Sequence, residues 1–337
     1  MENKLNIKKI IISRPDAIGD VLLTLPVCGL IKKYFPEVKI VFIGRSYTEA
    51  IINCCEHVDE FINADVLSEH HNNHAITLLK QSGADTIIHV FPNKHIAKLA
   101  KQAGIKNRIG TTNRWFHLFS VNRFVVLSRK NSDLHEAQLN IKLLSAIGIE
   151  EIPEVDQLHQ YIGFTKLPVL EKEHAALIHP EKINVILHPK SNASAREWSL
   201  EHFKALIDLL PADRYQVFIS GTDKEKVILN DWIKQLPAHV IDITGKMSLP
   251  QFIAFINKAN YLVAASTGPL HIASSLGIGA IGIYPPIRPM HPGRWKPIGK
   301  NAKALVVNKS CEDCRTTPSS CVCMNLIQAQ QVAALIQ

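Results

Sequence analysis

Short apolar runs rich in β-branched residues alternate with stretches of helical periodicity along most of this 337-residue chain. Three runs lie in the first half, at residues 9–12, 40–43 and 86–90, and five in the second, at residues 185–187, 217–219, 240–243, 261–263 and 280–283. Because strands separated by helices pair in parallel, this alternation predicts doubly wound parallel sheets with helices on both faces.

A stretch without clear period, which holds Pro153, Pro168 and Pro180, separates the two series of strands. The length of the chain also favours two domains, each with its own core. We therefore expect a first domain at residues 1–160, a linker at 161–182 and a second domain at 183–324. A helix at residues 325–337 is expected to pack back on the first domain.

Composition places the chain among globular proteins, with 46% hydrophobic and 20% charged residues. No apolar run approaches the roughly 18 residues that a membrane-spanning helix needs, and the N-terminal residues do not resemble a signal peptide. Seven cysteines, two of them adjacent at Cys54 and Cys55, favour a reducing compartment over a disulfide framework. These features predict a cytoplasmic protein.

The net charge of +8 arises from one segment, residues 91–130. It contains no acidic residue and nine basic ones: Lys94, Lys98, Lys101, Lys106, Arg108, Arg114, Arg123, Arg129 and Lys130. Such asymmetry indicates a surface that faces anions, although a solvated face without a partner has the same composition. A nucleic-acid-binding protein is a distant alternative, because only Trp115, Phe116 and Phe119 interleave with the charges.

Four C-terminal cysteines follow the spacing C-x2-C-x6-C-x-C, at Cys311, Cys314, Cys321 and Cys323. Four thiolates can hold one zinc ion, but the gap between the pairs is shorter than in common zinc modules. Thiols without a metal are therefore the preferred interpretation, and we expect no metal site.

In the first half, strand 9–12 leads into a turn with Gly19 and Asp20, followed by a helical run at residues 21–34. Gly19 permits a tight turn and places Asp20 near the helix start. A carboxylate there can simply interact with the helix dipole. It can also act as a general base if a substrate hydroxyl comes within hydrogen-bond reach.

In the second half, two loops after predicted strands carry polar residues suited to a nucleotide. The first contains Lys190, Ser191, Ser194 and Arg196, and the second contains Gly221 and Glu225. Arginine binds two phosphate oxygens at once, lysine adds a point charge, and a carboxylate after the next strand suits a ribose. Solvated loops would look the same, so each loop alone is a weak signal.

A third loop follows strand 261–263 and opens a helix, with Ser266, Thr267, Gly268, Pro269 and His271 in the turn and first helical residues. A hydroxyl at 266 or 267 can cap the helix, Gly268 allows close approach, and Pro269 suits the first turn. Such a helix start aims backbone N–H groups at an anion, as a diphosphate site requires. An ordinary capped core helix is the alternative.

The order of these motifs along the chain resembles glycosyltransferase family 9, the ADP-heptose:lipopolysaccharide heptosyltransferases. The resemblance extends from residue 10 to about residue 332. It implies an α/β fold of GT-B architecture, with two Rossmann-like doubly wound parallel-sheet domains facing a cleft. It also implies inverting single displacement with Asp20 as base. Arg196 matches a basic residue near the donor diphosphate, Glu225 a ribose ligand, Met247 a methionine beside adenine, and Thr267 with Gly268 the phosphate turn.

The resemblance further implies a nucleotide-sugar donor, ADP-heptose, and no required cofactor. Lys190, Arg196 and the 266–269 turn would stabilise the leaving diphosphate. An anionic, lipid-linked core oligosaccharide would be the acceptor, bound by Lys94, Lys98, Lys101, Arg108 and Arg114 in peripheral contact with the cytoplasmic face of the inner membrane.

One residue departs from the family pattern. Well-known members carry aspartate where this chain has Ser266. A related transferase that uses another nucleotide sugar, or a protein or other glycan as acceptor, is therefore the alternative. A non-catalytic scaffold is a weaker hypothesis because Asp20 is retained.

Overall fold

The structure, a computed structural model, describes residues 6–69, 72–288, 290–309 and 321–337. It divides into two compact units, Met1–Lys166 and Leu167–Gln337. This boundary lies within the predicted linker, 161–182. On its first side, the backbone N–H groups of Thr165 and Lys166 each donate to the Cys54 carbonyl at 3.0 Å. On its second side, the Glu171 N–H donates to Gln251 Oε1 at 2.9 Å, so each part of the segment is held by its own unit.

The first unit contains six parallel strands in the order β3-β2-β1-β4-β5-β6. The strands are β1 Lys9–Ser13, β2 Lys39–Gly44, β3 Glu60–Asn63, β4 Thr86–His89, β5 Asn107–Thr111 and β6 Arg123–Val125. The helices are α1 Ile18–Leu22, α2 Leu25–Tyr34, α3 Glu49–Asn53, α4 Ala64–Glu69, α5 Asn72–Gln81, α6 Lys94–Gln102, α7 His117–Ser120 and α8 Glu136–Ile141. Short 3₁₀ turns span Ser46–Thr48, Lys142–Ile147 and Leu158–Tyr161.

The second unit repeats this plan, with parallel strands in the order β12-β11-β10-β7-β8-β9. The strands are β7 Ile183–His188, β8 Tyr215–Ile219, β9 Ile241–Asp242, β10 Tyr261–Ala265, β11 Gly279–Tyr284 and β12 Ala302–Val306. The helices are α9 Lys172–Ala175, α10 Leu200–Asp208, α11 Asp223–Ile233, α12 Leu249–Ile256, α13 Gly268–Ser275, α14 Pro292–Trp295 and α15 Ala329–Ala333, with a 3₁₀ turn at Met324–Leu326.

Each sheet has the strand order 3-2-1-4-5-6 of the Rossmann fold when its strands are numbered from its own first strand. The predicted pair of Rossmann-like, doubly wound parallel sheets is therefore confirmed. In this fold the connections reverse direction between the first and fourth strands, and ligands bind beyond the carboxyl ends there. The expected ligand edges are those of β1 and β4 in the first unit and of β7 and β10 in the second.

Apolar cores cover the sheets. In the first unit, Ile11, Val41 and Ile87 pack with residues of α5 and α6 such as Leu79 and Leu99. The core of the second unit includes buried residues of β7, β8, β10 and α10: Val185, Leu187, Val217, Val263, Phe203 and Leu206. Within the described ranges, no helix is long and apolar enough to cross a bilayer.

Four strands carried no sufficient signal in the sequence: β3, β5, β6 and β12. Three of them, β3, β6 and β12, lie at sheet edges, where one flank is open and polar side chains interrupt the apolar run. The run 21–34 is also two helices instead of one. Pro26 has no N–H to donate to the Leu22 carbonyl, so α1 ends at Leu22 and α2 restarts at Leu25.

The prediction that the last helix packs on the first domain is wrong. Ile327, Ala329 and Val332 belong to the core of the second unit, around Trp198. The Trp198 indole N–H donates to the Ile327 carbonyl at 2.9 Å, and the Tyr215 hydroxyl donates to the Ile336 carbonyl at 3.3 Å. This segment covers the apolar face of α10, which would otherwise be exposed.

Candidate functional site

Asp20 lies at the ligand edge of the first sheet, on α1 directly after β1. It is in the first turn of this helix, and its side chain is about one-fifth exposed. Its carboxylate pairs with the Arg14 guanidinium, which is almost completely buried. The Asp20 side chain therefore stays partly accessible from solvent.

Arg14 connects Asp20 to a second buried carboxylate. Its Nη1 lies 3.4 Å from Glu136 Oε1, and its Nη2 lies 3.4 Å from Asp16. The Glu136 side chain, only 2% exposed, also pairs with Arg129. Charges therefore alternate along Asp20, Arg14, Glu136 and Arg129, and each buried charge has a partner of opposite sign, which buried ions require.

Hydrogen bonds through Asn140 and Thr24 close this chain of charges into a ring. Arg129 Nη2 donates to Asn140 Oδ1 at 2.9 Å, and Asn140 Nδ2 donates to Thr24 Oγ1 at 3.2 Å. The Thr24 hydroxyl in turn donates to the Asp20 carbonyl at 2.8 Å. We call these six residues the Asp20 network. It fixes both the backbone and the side chain of the candidate base.

Burial raises the pKa of Asp20 above its ordinary value. The adjacent Arg14 lowers this pKa, whereas the charges of Asp16 and Glu136 raise it, and the net direction is upward. A carboxylate with a raised pKa is a stronger base than an ordinary one. This electrostatic setting fits the role of a general base better than that of a simple helix-dipole partner.

Buried polar groups surround the same edge of the sheet. His89, at the end of β4, is opposite Ser13 across the β1–β4 pair, and both are fully buried. Neither His89 ring nitrogen nor the Ser13 hydroxyl has a hydrogen-bond partner in the described part of the chain. Burial lowers the pKa of His89 to about 3, so this imidazole is neutral.

In the second unit, the loop after β7 is organised by Glu197, which the sequence analysis did not single out. Its Oε1 accepts from the Ser191 N–H and the Ser191 hydroxyl, each at 2.9 Å, and its Oε2 pairs with Lys190. Ser194 Oγ donates to the Ser191 carbonyl at 2.7 Å. Lys190, Ser191 and Ser194 thus form one compact loop at the predicted phosphate edge, with Arg196 half-buried beside it.

Backbone conformation sets this loop apart. Asn192 and Ala193 have φ values of 47° and 61°, in the left-handed region that costs a residue with a Cβ about 1–2 kcal/mol. Among the described residues, they are the non-glycine residues with positive φ. Such strain persists where the surroundings impose it, and it concentrates at binding sites.

The loop after β8 places Glu225 at the third position of α11. Its Oε2 accepts from the Thr222 N–H at 2.8 Å, while the Thr222 hydroxyl accepts from the Glu225 N–H at 3.3 Å. This is a reciprocal capping box, which the spacing of Thr222 and Glu225 could have indicated. The buried carboxylate therefore has a structural role, and a ribose would bind it only beside that cap. Gly221 is close to it, since a Cβ there would lie 3.3 Å from the Glu225 Cβ.

His188 links the first two loops. Its Nδ1 lies 3.0 Å from Ser220 Oγ. Burial lowers the pKa of His188, and the nearby Glu225 and Glu197 carboxylates only partly offset this lowering. The loop that contains Met247 follows β9, and the Gly245 N–H donates to the Gly221 carbonyl at 2.9 Å. Met247 is half-buried near this junction.

Thr267 is the N-cap residue of α13, but within the described chain its side chain makes no capping hydrogen bond. Its hydroxyl oxygen is buried and has no partner among these residues. Pro269 has no N–H, so Gly268 and Leu270 supply the donors of the first turn. An uncapped helix start beyond β10 can accept a phosphate group in place of the missing cap. The ring of His271 lies buried in that first turn.

The predicted acceptor residues divide into two groups. Lys94, Lys98, Lys101 and Arg114 are exposed. Arg108 instead folds inward, where its Nε donates to the Ser120 carbonyl at 2.8 Å and its Nη1 contacts the Ile105 carbonyl. Arg108 thus holds α7 in place, and only its exposed remainder can contact a ligand.

Two of the four cysteines of the zinc alternative lie outside the described part of the chain. Cys311 and Cys314 lie outside the described residues, while Cys321 is half-buried and Cys323 is buried. Elsewhere in the described residues, Glu171, Glu173 and His174 bring ligand atoms within 4.8 Å of one another, and the two carboxylates are exposed while His174 is buried.

Comparisons with known proteins show the family of the chain. Residues 75–324 match the model of glycosyltransferase family 9 (heptosyltransferase). A Haemophilus influenzae protein named "Putative glycosyltransferase" is 29% identical over 302 residues, covering 86% of each chain. Lipopolysaccharide heptosyltransferase 3 of Escherichia coli is 22% identical over 290 residues, covering 79% of this chain and 80% of that one.

Solved structures share the fold. E. coli ADP-heptose lps heptosyltransferase II superposes with a TM-score of 0.76, at 19% identity and 97% coverage of both chains. The family model begins after β3, so it covers β4 to β6 of the first unit and most of the second unit, including the loops after β7, β8 and β10. The chain is therefore a transferase enzyme and belongs to glycosyltransferase family 9, the heptosyltransferases.

Proposed function

We propose that this enzyme transfers a heptose from ADP-heptose to the inner core of lipopolysaccharide, with inversion at the anomeric carbon. One curated relative is named lipopolysaccharide heptosyltransferase 3, and one solved relative is named for ADP-heptose. Within this proposal, the first unit supplies the base and binds the acceptor. The second unit binds the nucleotide sugar.

One observation carries the proposal. Asp20 follows β1, and the candidate donor loops follow β7 and β10, so both groups occupy the edge where the strand order of their own sheet reverses. Those are the edges at which Rossmann-like sheets bind ligands. The raised pKa of Asp20 and the uncapped start of α13 supply the chemistry that each edge would need.

The proposed reaction is a single displacement. The Asp20 carboxylate takes the proton of an acceptor hydroxyl as that oxygen forms a bond to the anomeric carbon. The bond from this carbon to the β-phosphate oxygen breaks, and ADP leaves with the electron pair. Lys190, Arg196 and the N–H groups of Gly268 and Leu270 stabilise the charge that develops on the diphosphate. The protein's own cations take this role, so we expect chelators to leave the rate unchanged.

Glu225 and Met247 remain the proposed contacts to ribose and adenine. The exposed Lys94, Lys98, Lys101 and Arg114 are proposed to bind phosphates of the acceptor, a lipid-linked core oligosaccharide. This acceptor would keep the enzyme in salt-sensitive, peripheral contact with the cytoplasmic face of the inner membrane.

Ser266 supports a second candidate, a transferase with another nucleotide sugar. Ser266 presents a neutral hydroxyl that interacts with Tyr284, in place of a carboxylate that could bind donor-sugar hydroxyls. Calorimetry with ADP-heptose, ADP, UDP and GDP distinguishes the candidates. Preference for the adenine nucleotides supports ADP-heptose, and tighter binding of UDP or GDP supports the alternative.

The role of Asp20 is tested by Asp20→Asn. We expect this variant to lose about 10²–10⁴-fold in transfer rate, the usual contribution of a general base, while its affinity for ADP is unchanged. Asp16→Asn is the matched control, because Asp16 also pairs with Arg14 but has no assigned role in proton transfer. Near-normal turnover of Asp20→Asn, or equal losses in both variants, would remove Asp20 as the base.

A further inference from the structure

The first unit exposes three large apolar side chains on adjacent turns of the chain. Trp115 is 64% exposed, Leu118 66% and Phe119 69%. They lie in and just before α7, and we call them the apolar ridge. Exposed apolar residues that occur singly are ordinary, but these three lie within five residues, where the Leu118 N–H donates to the Trp115 carbonyl at 3.2 Å. Grouped apolar exposure of this kind marks an interaction surface.

Lysines line one side of this ridge. Lys94, Lys98 and Lys101 are spaced four and three residues apart, so they share one face of α6, and all three are exposed. Lys94 Nζ lies 4.8 Å from the centre of the Trp115 ring, and Lys101 Nζ donates to the Phe119 carbonyl at 2.8 Å. The lysine row therefore runs beside the apolar ridge from one end to the other.

We infer that the apolar ridge and the lysine row form a membrane-docking surface, whose apolar side chains insert into the interface of an anionic phospholipid bilayer. Tryptophan, phenylalanine and leucine beside lysines are the composition that binds membrane interfaces. Protein interfaces, by contrast, are depleted in lysine. The surrounding segment, residues 91–130, has no acidic residue that would repel anionic headgroups.

This inference rests on the proposed function only in that a lipid-linked acceptor would bring the enzyme to a bilayer. It goes further because it assigns a hydrophobic contribution that survives salt. Purely electrostatic attachment would disappear at ~1 M salt, where the Debye length is about 3 Å. Insertion of the ridge would leave part of the binding intact.

Vesicle sedimentation of the purified full chain tests the surface. The probes are vesicles of phosphatidylcholine alone and vesicles that also contain phosphatidylglycerol. We expect Trp115→Ser/Leu118→Ser/Phe119→Ser to weaken binding about tenfold or more at low and high salt. Lys94→Gln/Lys98→Gln/Lys101→Gln should lose about fivefold per lysine on anionic vesicles at low salt only.

A matched control uses exposed apolar residues of the other unit. Val227 and Ile228 on α11 are 79% and 62% exposed, and Val227→Ser/Ile228→Ser should bind vesicles as the wild type does. Acyl chains brominated at shallow depth should quench the fluorescence of the wild type, and Trp115→Phe should abolish that quenching. Circular dichroism verifies that each variant is folded.

Three results would overturn the inference. These are wild-type-like vesicle binding by the ridge variant, complete loss of wild-type binding at ~1 M salt, and ridge-dependent binding of a DNA oligonucleotide without vesicle binding. Transfer to a delipidated, water-soluble acceptor separates this inference from the proposed function. The ridge variant should keep that activity. If the wild type lacks this transfer activity while vesicle binding still requires the ridge, the proposed function is refuted and the membrane-docking surface is supported.

Discussion

Replacing Glu136 by glutamine removes the charge that joins Arg14 to Arg129 in the Asp20 network. The Glu136 side chain is only 2% exposed, so water cannot replace the lost charge. We therefore expect two separable effects, a loss of stability in the first unit and a change in the pH dependence of transfer.

The size of the stability effect follows from burial. One pair of unit charges at about 4 Å attracts by roughly 4 kcal/mol at an effective dielectric constant near 20. Desolvation offsets part of this, and removing one partner of a buried pair costs about 3–5 kcal/mol. We expect that loss for Glu136→Ala. Glutamine keeps one oxygen acceptor, so Glu136→Gln should lose about 1.5–3 kcal/mol, the contribution of a hydrogen bond to a charged group.

For a unit of this size, each kcal/mol changes Tm by about 2–4 °C. Glu136→Gln should therefore lower the Tm of the first unit by roughly 3–12 °C. Thermal unfolding followed by circular dichroism measures this change. Glu151→Gln is the control, because Glu151 forms an exposed pair with Lys33 at 2.7 Å, and such pairs contribute little.

The pH effect has a definite sign. The Glu136 charge raises the pKa of Asp20, so its removal takes away this effect. Without Glu136, the Arg14 guanidinium also pairs only with the carboxylates of Asp16 and Asp20. Both changes lower the pKa of Asp20. A general base works only when ionised, so activity falls as pH falls through that pKa, and the acid limb of the kcat/KM profile should move to lower pH in Glu136→Gln. An unmoved limb, or a Tm loss no larger than that of Glu151→Gln, would refute the reasoning.

Three further variants test individual positions. Thr267→Val should keep the wild-type Tm but bind ADP about tenfold or more weakly, because the buried hydroxyl has no partner among the described residues; unchanged ADP affinity in calorimetry would argue against the phosphate site. Gly245→Ala should lower the free energy of unfolding by more than about 1 kcal/mol, since φ is 65° and the new Cβ would meet the Asp223 side chain. Gly104→Ala has open space around the new Cβ and should lower it by less in the same unfolding experiment. Trp198→Phe should lose about 1–3 kcal/mol because the buried Ile327 carbonyl loses its donor, and a wild-type Tm would contradict this attachment of the C-terminal segment.

The fold was largely predictable because parallel strands buried on both faces leave apolar runs in the sequence. β7 and β10 are such runs, and the loops after them were correctly placed at strand ends. Edge strands such as β6 escaped prediction since Phe124 is exposed and Arg123 interrupts the pattern. The packing of α15 also escaped, because an apolar helix face does not reveal which core it covers.

The candidate site was predictable only in part. Asp20 and the turn at Thr267 follow strands directly, so local sequence places them at a ligand edge. The partners of Asp20 are distant in sequence, however, and Glu136 lies 122 residues from Arg14. No periodicity or spacing relates such residues, and only the folded chain brings these charges together. The Glu225 capping box, in contrast, had a local signal at Thr222.

The central claim is transfer from ADP-heptose with Asp20 as base, and NMR of the reaction product tests it most directly. The purified enzyme is incubated with ADP-heptose and a heptose-deficient lipopolysaccharide core, and the anomeric configuration of the product is compared with that of the donor. We expect a heptosylated core of inverted configuration, released ADP, and product formation by Asp20→Asn that is about 10²–10⁴-fold slower. A product of retained configuration, or transfer only from a UDP- or GDP-linked sugar, would contradict it.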